Sequence, residues 1–380
     1  MANVFEKVDM LGAEALMHLE DSLVISGLCA KDTSSDFNKT ASGYAVGDTI
    51  RYKTRPVFEA KEFASTIEVQ EVRESARPMV IEKHLDVSVD LTAKELALDF
   101  ESFAAQVVQP AAYALAEKVD AYVGTKILEG AGLSVATTIL SDAAGMAVAR
   151  KDATYQQLSA TGRFALVTDT LEARLLGADY FNTYTNRGDD GAAVFRDGSM
   201  GYAMGMNWFS SLNYPDGTHT SGNGTTTTDN STEGANAVGL KVLTVDPLTG
   251  TIEAGDRIRI AGVRRPLIVA AQATATATSI SLVDPIAEII PDGAAVTVIG
   301  SGLTQTYQGA IFDDRSLAVA FPILDLPEDV VASTTSNNGV SIRVAKGYNM
   351  ATKKTTLSLD LLVGSFALDP RRITLLADQA

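Results

Sequence analysis

The sequence contains few of the residues that stapled or metal-bound folds depend on. Its 380 residues include one cysteine, Cys29, and three histidines in separate segments, namely His18, His84 and His219. One thiol cannot build a disulfide framework within a chain, and isolated histidines lack the spacing of a zinc site. We therefore expect no metal site and no cofactor, and a fold held by its hydrophobic core.

Long apolar runs and excess positive charge are also missing. No stretch approaches the ~18 consecutive apolar residues of a membrane span, and the start, MANVFEKVDM, has no basic segment followed by an apolar run. The formal net charge is -16. An acidic chain repels phosphate backbones, so sequence-specific binding to nucleic acid is not expected. The acidity suits solubility, and also a container whose walls must not adhere to packed nucleic acid.

Catalytic motifs are absent as well. The sequence has no G-x-x-x-x-G-K-[ST] phosphate loop and no G-x-S-x-G nucleophile elbow. Two adjacent carboxylate pairs, Asp189-Asp190 and Asp313-Asp314, could serve acid–base chemistry, but such pairs are more typical of helix caps and solvated loops. We predict that the chain is not an enzyme. A carboxylate-based hydrolase is the alternative, and it depends on these pairs alone.

The first third of the chain combines an amphipathic helix with a highly charged segment. Leu16, Leu19 and Leu23 recur at helical spacing and predict a helix over roughly 10–27, followed by a polar linker at 31–44. Residues 45–91 have extended patterns, and the stretch between Arg51 and His84 contains seven Lys/Arg and six Glu. A hairpin with so few apolar residues cannot bury a core of its own, so it needs a neighbouring molecule to lie on. A mobile surface loop is the alternative.

A long helix is predicted next. Thr92 and Glu95 form a capping-box sequence, and apolar residues continue at helical spacing to Gly130. From 93 to 129 this helix would span roughly 55 Å. Pro110 should kink or split it, because proline removes one helical hydrogen bond. The predicted apolar face comprises Leu96, Phe100, Phe103, Val107, Leu115, Val119, Tyr122 and Ile127.

The rest of the chain alternates between mixed and β-type patterns. Residues 163–168 predict a buried strand and 169–176 a helix with an acidic first turn. Residues 215–235 have a low-complexity composition that predicts a linker. Between 236 and 303, short alternating stretches separated by turn residues predict a small barrel or sandwich. Residues 333–339 predict a turn-rich loop, and 340–363 a β-hairpin that packs on the long helix.

The order of these segments resembles the coat proteins of tailed phages, which have the Hong Kong 97-type capsid fold. The resemblance is greatest to the short-tailed-phage branch that carries an inserted β-barrel, and it covers nearly the whole chain through loose motifs. The stretches that carry it are VGDTIRYKTRP, LDVSVDLTAKELALDFESFAAQVVQPAAYALAEKVDAYV, EAGDRIRIAGV, IFDDRSLAVAF, VSIRVAKGYN and LSLDLLVGSFALDPRRITLL.

The resemblance implies an α+β fold with a division into domains. These are an N-terminal arm (1–44), an extended loop (45–84), a peripheral domain with the spine helix (85–150 and 338–380), an axial domain (151–235 and 304–337) and an inserted β-barrel (236–303). It also implies a major capsid protein that forms hexamers and pentamers of an icosahedral shell around double-stranded DNA. Scaffolding, portal and decoration proteins are the expected partners, and the virion, assembled in the host bacterial cytoplasm, is the expected location.

Contacts between subunits are predicted in the extended loop. The candidate residues are Arg51, Lys53, Arg55, Lys61, Arg73, Glu74 and Arg77. We expect the four arginines to pair with acidic residues of an adjacent subunit, because charges at an interface rim set register more than affinity. Some family members cross-link a loop lysine to a neighbouring asparagine. Here that would require Lys61 with Asn337, Asn338 or Asn349, and no lysine position is diagnostic.

Two other structural functions remain open. An encapsulin-like nanocompartment shares the fold but encloses enzymes, and the β-rich insertion and coat-protein-like ends disfavour it. A tail or adhesin protein would explain the Thr-rich β segments, but the long helix disfavours it.

Overall fold

The computed structural model describes most of the chain. The described residues are 3–31, 49–54, 58, 75–91, 104–130, 143–155, 158, 161–179, 200–232, 235–327, 330–350 and 354–377. The predicted linker at 31–44, the capping box at Thr92 and the first part of the predicted long helix lie outside them, except Lys31. By its contacts the chain divides into two compact units, each discontinuous in sequence. The first unit is Met1–Tyr52, Pro78–Ile127 and Leu317–Leu368, and the second is Lys53–Arg77, Leu128–Ser316 and Asp369–Ala380.

The described α-helices are α1 (Asn3–Ser22), α2 (Gln109–Gly130), α3 (Ala143–Tyr155) and α4 (Asp169–Leu176). Short 3₁₀ turns occur at Ser26–Leu28 and Pro370–Arg372, and a π-helical turn at Ala104–Val108.

The described strands of the first half are β1 (Ala30–Lys31), β2 (Thr49–Thr54), β3 (Ser75–Val80), β4 (Lys83–Leu91), β5 (Arg163–Val167), β6 (Tyr202–Ala203), β7 (Met206–Ser210), β8 (Gly217–Thr220), β9 (Thr225–Thr227) and β10 (Val242–Thr244). Those of the second half are β11 (Arg257–Ile260), β12 (Leu267–Ile268), β13 (Ser279–Ser281), β14 (Ala295–Val298), β15 (Thr304–Asp313), β16 (Leu317–Ala320), β17 (Val331–Asn337), β18 (Val340–Asn349), β19 (Lys354–Ala367) and β20 (Thr374–Ala377).

The first unit is built on a six-stranded sheet with the order β1-β16-β19-β18-β17, in which β4 also pairs with β19. The predicted C-terminal hairpin is confirmed as β18 and β19. The predicted loop at 333–339 is wrong, because β17 continues to Asn337 and only Asn338 and Gly339 make the turn, both with positive φ (46° and 77°). Asn-Gly is the preferred pair for such a two-residue turn.

Helix α1 packs on β17 and β18 of this sheet. Gly12 permits the close approach, since a Cβ there would lie 2.6 Å from Thr335 Oγ1. The helix begins and ends earlier than predicted, but Leu16, Leu19 and Leu23 are all buried. The hairpin was predicted to pack on the long helix. The described contacts place α1 on it. The described part of the long helix, α2, meets β19 through a hydrogen bond between Tyr122 and Ser365.

Helix α2 confirms the end of the predicted spine helix at Gly130 and its buried face. Leu115, Val119 and Ile127 are at most 2% exposed. Pro110 is the second residue of α2 and follows the π-helical turn Ala104–Val108 without a break. It has no N–H to donate to that preceding turn. The irregularity predicted at this proline is the π-helical turn that immediately precedes α2.

The second unit contains a six-stranded sheet with the order β20-β15-β5-β7-β6, in which β8 also pairs with β15. The predicted strand at 163–168 is confirmed as β5, and the predicted acidic helix as α4. The Leu171 amide donates to Thr168 Oγ1 at 3.5 Å, which caps the helix.

A β-rich module in the second unit consists of strands β9 to β14. They form a four-stranded sheet, β12-β11-β14-β9, and a β10–β13 pair. One apolar cluster fills the module, and its fully buried members include Leu243, Ile258, Ile280 and Val296. The linker predicted at 215–235 is wrong, because β8 and β9 lie within it and pair with β15 and β14. Threonine is β-branched and favours strands, so Thr-rich composition did not signify a linker here.

Candidate subunit-contact surface

The base of the predicted extended loop is a two-stranded sheet of β2 and β3. The described side chains that pack inward from it, Tyr52 and Met79, are largely apolar. The rings of Tyr52 and Phe366 pack in a tilted arrangement with centroids 5.1 Å apart, and Met79 is fully buried with Ala320. Arg51, next to Tyr52, is exposed. The alternation of a strand thus anchors one side of the loop base and turns Arg51 to the solvent.

The structure positions only some of the predicted contact residues. Arg51 and Lys53 are on β2, and Arg77 is on β3. The other four, Arg55, Lys61, Arg73 and Glu74, lie outside the described residues. For the cross-link, Asn337 is hydrogen-bonded to Glu20 at 3.0 Å. The pairing of the loop with an adjacent subunit stays a prediction.

Glu82 ties the end of the loop to α2. Lys126 Nζ lies 3.2 Å from one carboxylate oxygen, and the Tyr122 hydroxyl donates to the same oxygen at 3.4 Å. The Ser365 amide donates to that hydroxyl at 3.3 Å. Burial, followed by the negative charge of Glu82, raises the pKa of Tyr122 to about 12. The phenol therefore stays protonated and can serve as donor and acceptor at once.

A polar sheet face lies directly after the loop, on β4, β19 and β18. Asp360 is buried and accepts from Arg343 Nε at 3.0 Å, from Arg343 Nη2, and from His84 Nε2 at 2.9 Å. Asp86 and Asp90 on β4 accept from Ser358 and Thr356 on β19. The period-2 pattern of residues 85–91 predicted this polar face. It did not predict that one carboxylate is buried and shared by a cation and a histidine.

Asp120 on α2 holds the turn after α1 and was missed by sequence reasoning. Its buried carboxylate accepts from three consecutive amides, those of Val24 at 2.8 Å, Ile25 at 3.1 Å and Ser26 at 3.1 Å. The Ser26 hydroxyl also donates to it, at 2.5 Å. The only available signal was an acidic residue within the apolar stretch VDAYV. Its partners are more than 90 positions away, so the sequence could not identify them.

The described residues show structural roles for the groups considered for chemistry. No group of three or more His, Cys, Asp or Glu suited to a metal ion occurs among them. Burial, then the charge of Asp120, raises the pKa of the Cys29 thiol, which opposes a nucleophilic role. Asp313 is buried and bonded to Arg372 and Ser316. Asp189-Asp190 lies outside the described part of the chain.

Burial also shifts the pKa of Arg257 and Arg163, the buried arginines among the described residues of the second unit. It lowers the pKa of Arg257 to about 10, opposed by the charge of Asp152. It lowers the pKa of Arg163 as well, and the positive charge of Arg150 lowers it further.

Among the described helices, none is long and apolar enough to cross a membrane.

Comparisons with known proteins relate the chain to phage structures. No protein-family model matches, and no curated protein matches. A chain in the solved structure of Mycobacterium phage Che8 is similar over 93% of this chain and 90% of that one, with a TM-score of 0.51 and 11% identity. The capsid of Cyanophage P-SCSP1u gives a TM-score of 0.46 at 12% identity, covering 92% and 88%. The capsid of a native GTA particle gives 0.48 at 12%, covering 96% and 91%. The Che8 likeness shows that the chain shares the fold of this phage protein, and the described elements confirm the predicted mixed α+β class.

Proposed function

We propose that the chain is the major capsid protein of a tailed bacteriophage and has no catalytic activity. The observation that carries this proposal is the likeness to the Che8 phage structure, which extends over 93% of this chain and 90% of that one. The segment order of the sequence supports the same function independently.

The subunit would build an icosahedral shell of hexamers and pentamers around double-stranded DNA. Each contact must be weak enough to correct errors and strong enough in sum, which suits charged pairs at an interface rim. The loop base supports such contacts, because Tyr52 and Met79 pack it on its own subunit. Arg51 is then exposed on a packed base, and we expect it to meet an acidic residue of an adjacent copy. The net charge of -16 would keep the inner wall from adhering to DNA.

The finer assignments belong to the same proposal. The arm, extended loop, peripheral, axial and inserted domains would have the boundaries implied by the resemblance. The β-rich module, with its own apolar cluster, supports the branch with an inserted barrel. Its pairing through β9 favours a start before residue 236. Scaffolding, portal and decoration proteins would be partners, with assembly in the bacterial cytoplasm and the virion as final location.

Electron microscopy of the purified full-length protein tests the proposal. We expect closed icosahedral shells, alone or after co-expression with the proteins encoded beside it. Tubes or fibres would favour the tail or adhesin alternative, and a protein that never assembles would contradict the shell function. Shells recovered from infected cells should contain double-stranded DNA. Shells that contain a folded enzyme cargo would instead indicate an encapsulin-like compartment.

A further inference from the structure

The β-rich module joins the rest of the second unit through a narrow neck. The chain enters after β8 and returns at β15, and these strands pair up to Thr220 and Thr304. Beyond them, the Ser221 amide donates to Leu303 O at 3.0 Å, and the Gly302 amide to Gly222 O at 3.1 Å. Two backbone hydrogen bonds thus continue the ladder into the module.

Four glycines give the backbone of this neck conformational freedom. Gly222 and Gly224 lie on the entering side, and Gly300 and Gly302 on the returning side, the latter two with positive φ (77° and 71°). Glycine allows many backbone conformations at little steric cost. A two-stranded ribbon of this composition can bend and twist, so the direction of the module must be fixed by other contacts.

Asp256 supplies such contacts from inside the module, beside the buried Arg257, whose charge interacts with Asp152 and Tyr307 outside the module. Its side chain is fully buried, and its two oxygens accept from three segments. His219 Nε2 on β8 lies 2.9 Å away, the Gly222 amide in the neck donates at 2.9 Å, and the Glu253 amide in the module donates at 2.8 Å. One carboxylate therefore joins the strand below the neck, the neck and the module.

The neck also fits closely against the module at Gly222. A Cβ there would lie 2.2 Å from Thr251 O, and the Gly224 amide donates to the same oxygen at 2.7 Å. Neither His219 nor Gly222 belongs to the apolar cluster of the module. The module can therefore keep its core when the neck contacts are lost.

We propose that His219 and Asp256 form a clamp that sets the direction of the β-rich module on the β8–β15 ladder. Asp256 is the positioning residue, and His219 is the part of the clamp outside the module. In a shell, the direction of the module would also affect the curvature. This consequence rests on the proposed function, whereas the clamp itself does not.

Hydrogen–deuterium exchange of the full-length subunit tests the clamp. His219→Ala should raise exchange of the amides at 221–224 and 302–303 by at least about tenfold, because a hydrogen bond to a charged group is lost. The amides of β11 and β14 should keep their protection. His18→Ala is the matched control, since it removes a histidine–carboxylate pair within α1 and should leave the neck unchanged.

Two results would overturn the clamp. Unchanged neck exchange in His219→Ala would show that the histidine does not restrain the module. An equal rise in β11 and β14 would show that the pair serves folding of the module and not its direction. Exchange is read on the subunit whether or not it assembles, so failure of the wild-type protein to form shells would contradict the proposed function alone. If the clamp and the proposed function are both correct, His219→Ala shells should differ in size distribution from wild-type and His18→Ala shells.

Discussion

Replacing Asp120 by alanine should release the turn that follows α1. The wild-type carboxylate accepts three amides and one hydroxyl. Each buried donor left unpaired costs about 1–3 kcal/mol. The turn can open and expose its amides to water, so the total cost is smaller than the sum over all four donors. We expect the free energy of local opening to fall by about 3 kcal/mol. That corresponds to roughly a 150-fold larger open population.

Cys29 provides the assay. It is the only cysteine, is 6% exposed, and donates its thiol to Ile25 O at 3.4 Å within this turn. A thiol reagent should react with Cys29 only when the turn opens, so the labelling rate under native conditions measures the opening. We expect Asp120→Ala to label roughly 150-fold faster than wild type. Glu117→Ala, an exposed position on the same helix, should label at the wild-type rate.

A second variant separates opening from thiol acidity. The charge of Asp120 contributes to the raised pKa of Cys29, so its removal alone makes the thiol more reactive. Asp120→Asn removes the charge but keeps one acceptor oxygen, and it should label at an intermediate rate. Equal rates for the alanine and asparagine variants would refute the hydrogen-bond reasoning. So would an alanine variant that labels within about threefold of wild type.

Three further outcomes follow from the contacts of the first unit. The folded-state pKa of Tyr122 is raised to about 12, so its contribution to stability is complete below the ordinary tyrosine value and is lost as pH rises toward 12. Urea unfolding from pH 8 to 12 should show this loss, and Tyr122→Phe should reduce it. Asp360→Asn weakens the bond to Arg343 and should lower the free energy of unfolding by about 2–4 kcal/mol in urea titrations. Arg51→Glu should impair assembly in light scattering without unfolding the subunit, whereas the same charge change at exposed Lys241 should have a smaller effect; equal effects would contradict a contact at Arg51.

Periodicity was a good guide to local structure in this chain. The alternation at 340–363 gave the hairpin of β18 and β19, and the apolar spacing in α2 gave its buried face. Short Ser/Thr segments were misjudged, because 215–235 and 333–339 resemble linkers in composition but form strands when partners are present. Strand pairing depends on distant neighbours, which single-sequence patterns do not contain.

Three buried carboxylates were residues that the sequence did not reveal as sites. Asp120, Asp256 and Asp360 each look like ordinary acidic residues in the sequence. Each is surrounded by donors from remote segments of the chain, such as the Ser26 amide for Asp120 and His84 for Asp360. A carboxylate is stable in the interior only with such donors. Their positions therefore follow from the tertiary fold and not from local pattern.

At the loop base, the residues that pack inward differ from the residue that carries the exposed charge, and this has a consequence for evolution and design. Tyr52 and Met79 carry the packing, while Arg51 is exposed beside them. Charge can therefore change at Arg51 without disturbing the interior, and a compensating change on the facing surface would restore the fit. Two lineages that exchanged charge in this way would recognise their own copies and reject each other's. The same exchange, made deliberately, offers a route to two kinds of particle that assemble side by side in one cell without mixing.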